Sequence, residues 1–147
     1  MSTRPVRILV VDDHQDTLDM WAFFLRARGY EVLTAADGLA AVATAERERP
    51  DLAILDLTLP GLSGVEAGRR IRQQAGDGTP RLIALTGHSA GGAVDEARVA
   101  GFDSVLVKPC EGAALVAEIE RVLAAAPLKT SVSGTASARR PAGRPSG

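Results

Sequence analysis

The chain has 147 residues, of which 46% are hydrophobic, and a formal net charge of −1. This length predicts one domain with a proper core, and the charge gives no reason to expect nucleic acid or an anionic membrane as the main partner. No apolar run is long enough to span a bilayer, and Cys110 is the only cysteine, which excludes an internal disulfide. We therefore expect a soluble cytoplasmic protein.

Five short apolar runs alternate with five helical patterns along the chain. Continuous apolar or β-branched runs predict buried strands, whereas apolar residues at helical spacing, bounded by caps, glycine or proline, predict helices. The first helix is expected to be capped by Asp16 or Thr17. The fourth is the least secure, because its two adjacent glycines each cost about 1 kcal/mol relative to alanine. The predicted strands are 7–11, 30–34, 52–55, 81–85 and 104–107. The first predicted helix ends near residue 28, and the other four span about 39–49, 65–74, 89–100 and 111–125.

Side-chain type predicts the environment of several helical residues. The three aromatic residues of the first helix are expected to pack in or near the core: Trp21, Phe23 and Phe24. Three arginines of the third helix are expected to form a solvated face: Arg69, Arg70 and Arg72.

The composition changes at Pro127, which predicts a domain over residues 1–126 and a disordered tail over 127–147. The tail is rich in Ser, Gly, Pro and Ala and has almost no large apolar groups, so it cannot bury enough surface to order itself. Its four basic residues are expected to keep it soluble rather than to contact an acidic partner or nucleic acid. The same composition would suit an interdomain linker.

The alternation of strands and helices predicts an α/β fold, a doubly wound five-stranded parallel sheet with helices on both faces. In the flavodoxin-like strand order 2-1-3-4-5, polar residues at the carboxyl ends of the strands meet at one edge. An isolated Asp in such a place is usually a turn residue, and a lone Thr or Lys is usually structural. Together, however, the strand-end residues predict one pocket: Asp12, Asp13, Asp56, Thr86 and Lys108.

Three carboxylates within a few ångströms repel one another unless a cation lies among them. Mg²⁺ is the expected cation, because it prefers oxygen ligands and no His or Cys cluster indicates zinc. Beside such a metal, Asp56 can act as a nucleophile toward phosphorus and form an aspartyl phosphate. The metal and Lys108 would then neutralise the charge on the transferred group.

Four short motifs, VVDD at 10–13, LD at 55–56 followed by LPG, LTG at 85–87 and KP at 108–109, resemble those of response-regulator receiver domains in two-component systems. The resemblance covers about residues 5–125. It implies a phosphoacceptor that takes its phosphoryl group from a histidine kinase or phosphotransfer protein and signals through protein–protein contacts. The implied roles are phosphoacceptor and metal ligand for Asp56, direct and water-mediated metal ligands for Asp13 and Asp12, a backbone carbonyl ligand from Thr58, and contacts to phosphoryl oxygens for Thr86 and Lys108.

The chain departs from the family at Val105, where receivers usually carry Tyr or Phe three residues before the lysine. The implied output surface is the face of the fourth helix, fifth strand and fifth helix, where a downstream protein would bind. Because valine cannot act as a switching ring, we expect a weaker or differently transmitted change, with the glycine-rich helix after Ser89 as an alternative route. The resemblance also implies a cis peptide bond before Pro109.

Other functions remain open at this point. A Mg²⁺-dependent aspartate-nucleophile phosphatase usually needs a second acid two residues after the nucleophile, and Thr58 stands there. A nucleotide- or flavin-binding module would need a phosphate-cradling glycine loop where Asp12 and Asp13 stand. A receiver that is never phosphorylated, or a receiver segment of a larger regulator or hybrid kinase, are further alternatives. The favoured hypothesis is a stand-alone receiver that turns over no external substrate, autodephosphorylation aside.

Three further residues have plain structural expectations. His14 is expected to turn toward solvent rather than bind the metal, and His88 to be a loop histidine rather than a contact of the phosphoryl group. Cys110 is expected to pack as a small apolar residue rather than act as a redox group.

Overall fold

Strands and helices alternate along the chain in the predicted order. The computed structural model describes residues 4–75, 79–87 and 92–125, so the predicted tail and the residue His88 lie outside the described residues. None of the described helices is long and apolar enough to cross a membrane. The elements are β1 (Arg7–Val11), α1 (Gln15–Ala27), β2 (Glu31–Ala35), α2 (Gly38–Glu48), β3 (Leu52–Asp56), α3 (Gly64–Ala75), β4 (Arg81–Thr86), α4 (Ala93–Ala100), β5 (Ser104–Val107) and α5 (Gly112–Ala124).

The five strands form one parallel sheet in the order β2-β1-β3-β4-β5, which confirms the predicted flavodoxin-like topology. The register pairs Val11 with Leu55, Asp56 with Leu85, and Thr86 with Val107. The strands therefore end at a common edge. Every residue of β3 and β4 is buried, as expected for central strands that are covered by helices on both faces.

The core consists of one apolar cluster on each face of the sheet. Successive strand residues point to opposite faces, so Ile54 belongs to one cluster and its neighbour Leu55 to the other. The Ile54 cluster packs against α1 and α5, and the Leu55 cluster packs against α2, α3 and α4. The predicted placement of helices on both faces is thus confirmed.

Helix α1 corrects two predictions. It begins at Gln15, so the predicted cap at Asp16 or Thr17 is wrong; the N-cap is His14, whose side chain makes no capping hydrogen bond. Phe23 is 79% exposed rather than packed in the core. The buried residues of the helix start at Leu18 and recur at helical spacing, and Phe23 falls on the opposite face.

Trp21 and Phe24 do pack as predicted. Trp21 is buried, and its ring meets the Phe24 ring edge to face with centroids 6.1 Å apart. Phe24 also lies against the first residue of α5, since a Cβ added to Gly112 would come within 2.4 Å of the Phe24 ring. The two aromatic residues therefore pack at the junction of α1 and α5.

Arg72 corrects the predicted solvated face of α3. Only 7% of Arg72 is exposed, and its Nη2 donates to the Gly101 carbonyl at 2.8 Å and to Asp103 Oδ2 at 3.0 Å. Asp103 Oδ2 also accepts the Leu82 backbone N–H at 2.7 Å. Arg69 and Arg70 are partly exposed and pair with Glu66, in line with the prediction. Arg72 instead ties α3 to the segment that joins α4 to β5.

Most other element boundaries differ from the predictions by one residue. For example, α2 begins at Gly38 because the Asp37 side chain accepts the Ala40 N–H at 2.8 Å and caps the helix. Helix α4 spans Ala93–Ala100, and the start predicted near Ser89 lies outside the described residues.

Gly68 allows α3 to pack closely on Phe102, which is part of the buried core. A Cβ added to Gly68 would lie 2.3 Å from Phe102 Cε1 and 2.4 Å from Cζ, so the ring would have to move. Overpacking of this kind typically costs about 1–3 kcal/mol, partly offset by the gain of about 1 kcal/mol in helix propensity. Because the contact would be as short as 2.3 Å, we expect the upper end of this cost. After the offset, Gly68→Ala should lower the free energy of unfolding by about 2 kcal/mol, measured by urea denaturation followed by circular dichroism.

Gly87→Ala is the matched control, because a Cβ at Gly87 would meet nothing within 4 Å. We expect it to change the free energy of unfolding by no more than about 0.5 kcal/mol. Equal stability of the two variants would contradict the close packing of Gly68 on Phe102.

Candidate active site at the carboxyl edge of the sheet

The strand ends bring the predicted site residues to one edge of the sheet. Asp12 follows β1, Asp56 is the last residue of β3, Thr86 is the last residue of β4, and Lys108 follows β5. Asp12, Asp56 and Thr86 are each at most 4% exposed. Short polar side chains are therefore held in fixed positions by the ends of buried strands, which is the arrangement expected from the parallel topology.

Lys108 contacts two of the carboxylates directly. Its Nζ donates to Asp56 Oδ2 at 2.9 Å and lies 3.7 Å from Asp12 Oδ2. Burial, the largest single influence, lowers the pKa of Lys108, but the hydrogen bond and charge of Asp56 together with Asp12 outweigh it and leave the pKa raised. Lys108 is therefore an ammonium ion at neutral pH.

The backbone of β5 also positions Lys108. Its N–H donates to the Thr86 carbonyl at 2.8 Å, which extends the β4–β5 pairing by one residue. The peptide bond from Lys108 to Pro109 is cis, as the resemblance implied.

The second oxygen of Asp56 is held by the loop that follows β3. Asp56 Oδ1 accepts the Thr58 backbone N–H at 2.9 Å, and the Gly64 N–H donates to the Leu57 carbonyl at 3.2 Å. A Cβ added to Gly64 would lie 2.2 Å from the Asp56 carbonyl oxygen, so the start of α3 lies directly against the backbone of Asp56. Both carboxylate oxygens of Asp56 are thus oriented by hydrogen bonds, Oδ1 by the Thr58 N–H and Oδ2 by Lys108 Nζ.

Asp12 and Asp13 lie beside His14, which the sequence does not predict to be part of the site. His14 is 72% exposed on its side chain, in keeping with the expectation that it turns toward solvent. Its Nδ1 nevertheless lies 3.2 Å from Asp12 Oδ1 and 3.3 Å from Asp13 Oδ1. Asp12 Oδ1 also accepts the His14 backbone N–H at 2.9 Å. In the sequence, the adjacency of these three potential ligands indicates that they can meet.

The residues present fit a hard divalent cation. One positively charged group, Lys108 Nζ, lies within 4 Å of both Asp12 and Asp56, which shows that carboxylates from two strands reach a common point. Mg²⁺ usually takes one or two carboxylates and completes its shell with water or phosphate oxygens. Within the described ranges, however, the cluster of three potential ligands within 4.8 Å of one another is Asp12, Asp13 and His14, and it does not include Asp56.

Two other predicted residues lie near this edge. Thr58 is exposed and reaches Asp56 through its backbone N–H. Cys110 is partly buried and packs against the core cluster of α1 and α5, as expected for a small apolar residue. Burial, and to a lesser extent the charge of Glu111, raises the pKa of the Cys110 thiol.

The fifth strand links the site to the surface of α4 and α5. Val105 pairs with Ala84 and packs against the cluster under α2, α3 and α4. Ser104 hydrogen-bonds Glu118 of α5, and Glu118 also pairs with Arg121, which lowers the pKa of Glu118. β5 therefore touches both neighbouring helices although no aromatic ring stands at position 105.

A flavodoxin-like sheet with acids and a lysine at its carboxyl edge defines the general class of the protein. A family model for the response regulator receiver domain matches residues 8–120. The chain therefore belongs to the receiver domains of two-component response regulators.

Its relatives include regulators and solved receivers. It is 38% identical over 110 residues to a probable transcriptional regulatory protein, TcrX, of Mycobacterium tuberculosis, a match that covers 72% of this chain and 44% of TcrX. The chain spans about half the length, or less, of the curated relatives it matches. Their names describe regulators, and their remaining length has no counterpart in the match.

Two solved structures match nearly their whole length. The chemotaxis protein CheY4 of Vibrio cholerae superposes with a TM-score of 0.76 at 32% identity, covering 80% of this chain and 98% of CheY4. The receiver domain of the sensor histidine kinase PA1611 of Pseudomonas aeruginosa PAO1 superposes with a TM-score of 0.75 at 35% identity, covering 82% and 99%. That receiver holds a magnesium ion in its active-site cleft.

Proposed function

We propose that Asp56 accepts a phosphoryl group from the phosphohistidine of a histidine kinase or phosphotransfer protein. The single observation that carries this proposal is the buried Asp56 carboxylate held at 2.9 Å by Lys108, a lysine that is charged at neutral pH. An ordinary strand-end aspartate needs no lysine from a strand two places away in the sheet. The position of Asp56 beside a second carboxylate, Asp12, fits a site that binds positive charge and phosphate together.

In the proposed transfer, an oxygen of Asp56 attacks phosphorus, and the phosphorus–nitrogen bond to the donor histidine breaks. The electron pair leaves with the imidazole nitrogen, which then takes up a proton. Lys108 exchanges its contact with Asp56 Oδ2 for a phosphoryl oxygen, and the Thr86 hydroxyl binds another. Asp13, Asp56 and the Thr58 carbonyl would hold Mg²⁺ directly and Asp12 would hold it through water, and the ion would supply positive charge that offsets the negative oxygens.

The fate of the phosphoryl group follows from the residue at position 58. A phosphatase acting on external substrates would need a general acid there, and Thr58 has no suitable group. We therefore propose that turnover is limited to autodephosphorylation, with water attacking the aspartyl phosphate.

We further propose that the phosphorylated protein binds a downstream protein through the face of α4, β5 and α5. Val107 of β5 is 43% exposed, so this face presents an apolar side chain. The direct link from Ser104 to Glu118 couples strand and helix within it. We propose that the protein acts in the cytoplasm and that its function needs no contact with nucleic acid or a membrane. Residues 1–126 would form the receiver domain that carries this function, and residues 127–147 would be a tail.

The proposal is tested by incubating the protein with acetyl phosphate, with Mg²⁺ or with excess EDTA, and locating the added phosphoryl group by mass spectrometry. We expect one acyl phosphate per chain, on Asp56, in the presence of Mg²⁺ and almost none in EDTA. Incorporation at another residue, or equal incorporation without the metal, would rule the assignment out.

A further inference from the structure

The His14 side chain has no structural task among the described contacts other than its approach to the two acids. It is the N-cap of α1 but makes no capping hydrogen bond, and most of its surface is exposed. Its backbone N–H is anchored to Asp12 Oδ1, which holds the residue next to the carboxylates. The imidazole Nδ1 lies at hydrogen-bond distance from Asp12 Oδ1, so this nitrogen is directed at the acid pair.

The distances suit neighbouring ligands of one cation. Two ligand atoms at about 2.1 Å from a metal and at right angles to each other are about 3.0 Å apart. His14 Nδ1 lies 3.2 Å from Asp12 Oδ1 and 3.3 Å from Asp13 Oδ1. A cation held directly by Asp13 and through water by Asp12 would therefore lie within reach of His14 Nδ1.

We propose that His14 is a nitrogen ligand of the metal site and shifts its selectivity from Mg²⁺ toward divalent cations that favour imidazole, such as Ni²⁺, Co²⁺ and Zn²⁺. Mg²⁺ prefers oxygen and gives up its waters reluctantly, so it gains little from an imidazole. The later first-row metals bind imidazole well. The inference rests on the proposed metal site at Asp12 and Asp13, and it adds a ligand that the receiver motifs do not contain.

The chain offers a matched control, because it has two histidines, His14 and His88. We would measure Ni²⁺ and Mg²⁺ binding by isothermal titration calorimetry on the full chain without a polyhistidine tag, and on its His14→Gln and His88→Gln variants. We expect His14→Gln to weaken Ni²⁺ binding by about tenfold or more, at least the loss seen when supporting partners of metal ligands are removed. Mg²⁺ binding should hardly change in either variant.

A direct spectroscopic measurement uses Cu²⁺ as the probe, because Cu²⁺ is paramagnetic and favours imidazole ligands. Pulsed electron paramagnetic resonance should show coupling of bound Cu²⁺ to an imidazole nitrogen in the wild type and in His88→Gln, but not in His14→Gln. Circular dichroism verifies that the variants are folded.

The outcomes separate this inference from the proposed function. If Mg²⁺ binds and Asp56 is phosphorylated but His14→Gln leaves Ni²⁺ affinity and the nitrogen coupling unchanged, the ligand role of His14 is wrong and the receiver function stands. If His14→Gln weakens Ni²⁺ binding but no phosphoryl group is incorporated, His14 is a ligand and the proposed function fails. A chain that binds none of these cations would overturn both.

Discussion

Asp56→Asn is expected to abolish incorporation of the phosphoryl group from acetyl phosphate. The amide that replaces the carboxylate lacks the anionic oxygen that attacks phosphorus, so the reaction loses its nucleophile. The oxygen of that amide can still accept from the Thr58 N–H or from Lys108, the two donors that hold Asp56. The variant should therefore keep the wild-type fold while losing essentially all labelling, measured by intact-protein mass spectrometry.

Asp37→Asn provides the control for this prediction. Asp37 is the N-cap of α2 and is not one of the site residues. Asparagine caps helices about as well as aspartate. We expect the Asp37→Asn protein to be labelled like the wild type. Labelling that persisted in Asp56→Asn would mean that a different residue accepts the phosphoryl group.

Asp103→Ala is expected to destabilise the fold by about 3–5 kcal/mol. The substitution leaves the buried Arg72 guanidinium without its carboxylate, and it also removes the acceptor of the Leu82 N–H. Removing one partner of a buried ion pair is costly because the other charge stays out of water. Since domains are typically stable by only about 5–15 kcal/mol, a loss of this size is readily measured by urea denaturation.

Arg70→Met serves as the matched comparison on the same helix. Arg70 pairs with Glu66 at the surface, and exposed pairs contribute about 0–1 kcal/mol. Combining Arg72→Met with Asp103→Ala should recover part of the loss, because no unpaired buried charge remains. If Asp103→Ala proved as mild as Arg70→Met, the Arg72–Asp103 pair could not be an important link between α3 and the segment that joins α4 to β5.

The sheet and the convergence of the strand-end residues at one edge could be predicted from the sequence. Both follow from the spacing of apolar residues and from the topology of a parallel sheet. Five apolar runs separated by helical patterns leave few possible parallel sheets, and a parallel sheet gathers the ends of its strands at one edge. The contact between Asp56 and Lys108, which are far apart in the chain, follows from this rule alone. Predicting this contact does not require knowledge of the direction in which each side chain points.

The errors arise where residue type is given more weight than position. Phe23 is predicted to lie in the core because it is aromatic, but it lies on the face of α1 opposite the buried residues of the helix. Arg72 is predicted to be solvated because it is charged, but it shares the buried face of α3 with Gly68 and Ile71. The partner of Arg72, Asp103, lies on a distant segment, which no local pattern reveals.

His14 escapes prediction for a different reason. Its approach to Asp12 and Asp13 depends on the extended backbone of the N-cap residue, with φ −102° and ψ 113°. The sequence predicts a later cap, at Asp16 or Thr17, so it does not predict this backbone conformation for His14. A boundary error of a few residues thus conceals a contact at the site.

Trp21 gives the protein an optical reporter of its own. It is the only tryptophan in the chain, so the intrinsic fluorescence of indole comes from one position. Trp21 is 7% exposed, and its ring packs edge to face on Phe24 at the junction with α5. It lies about two helical turns from His14. Loosening of this junction would move the emission to longer wavelength as water reaches the ring. The unfolding of the α1–α5 side of the sheet can therefore be followed without any added dye.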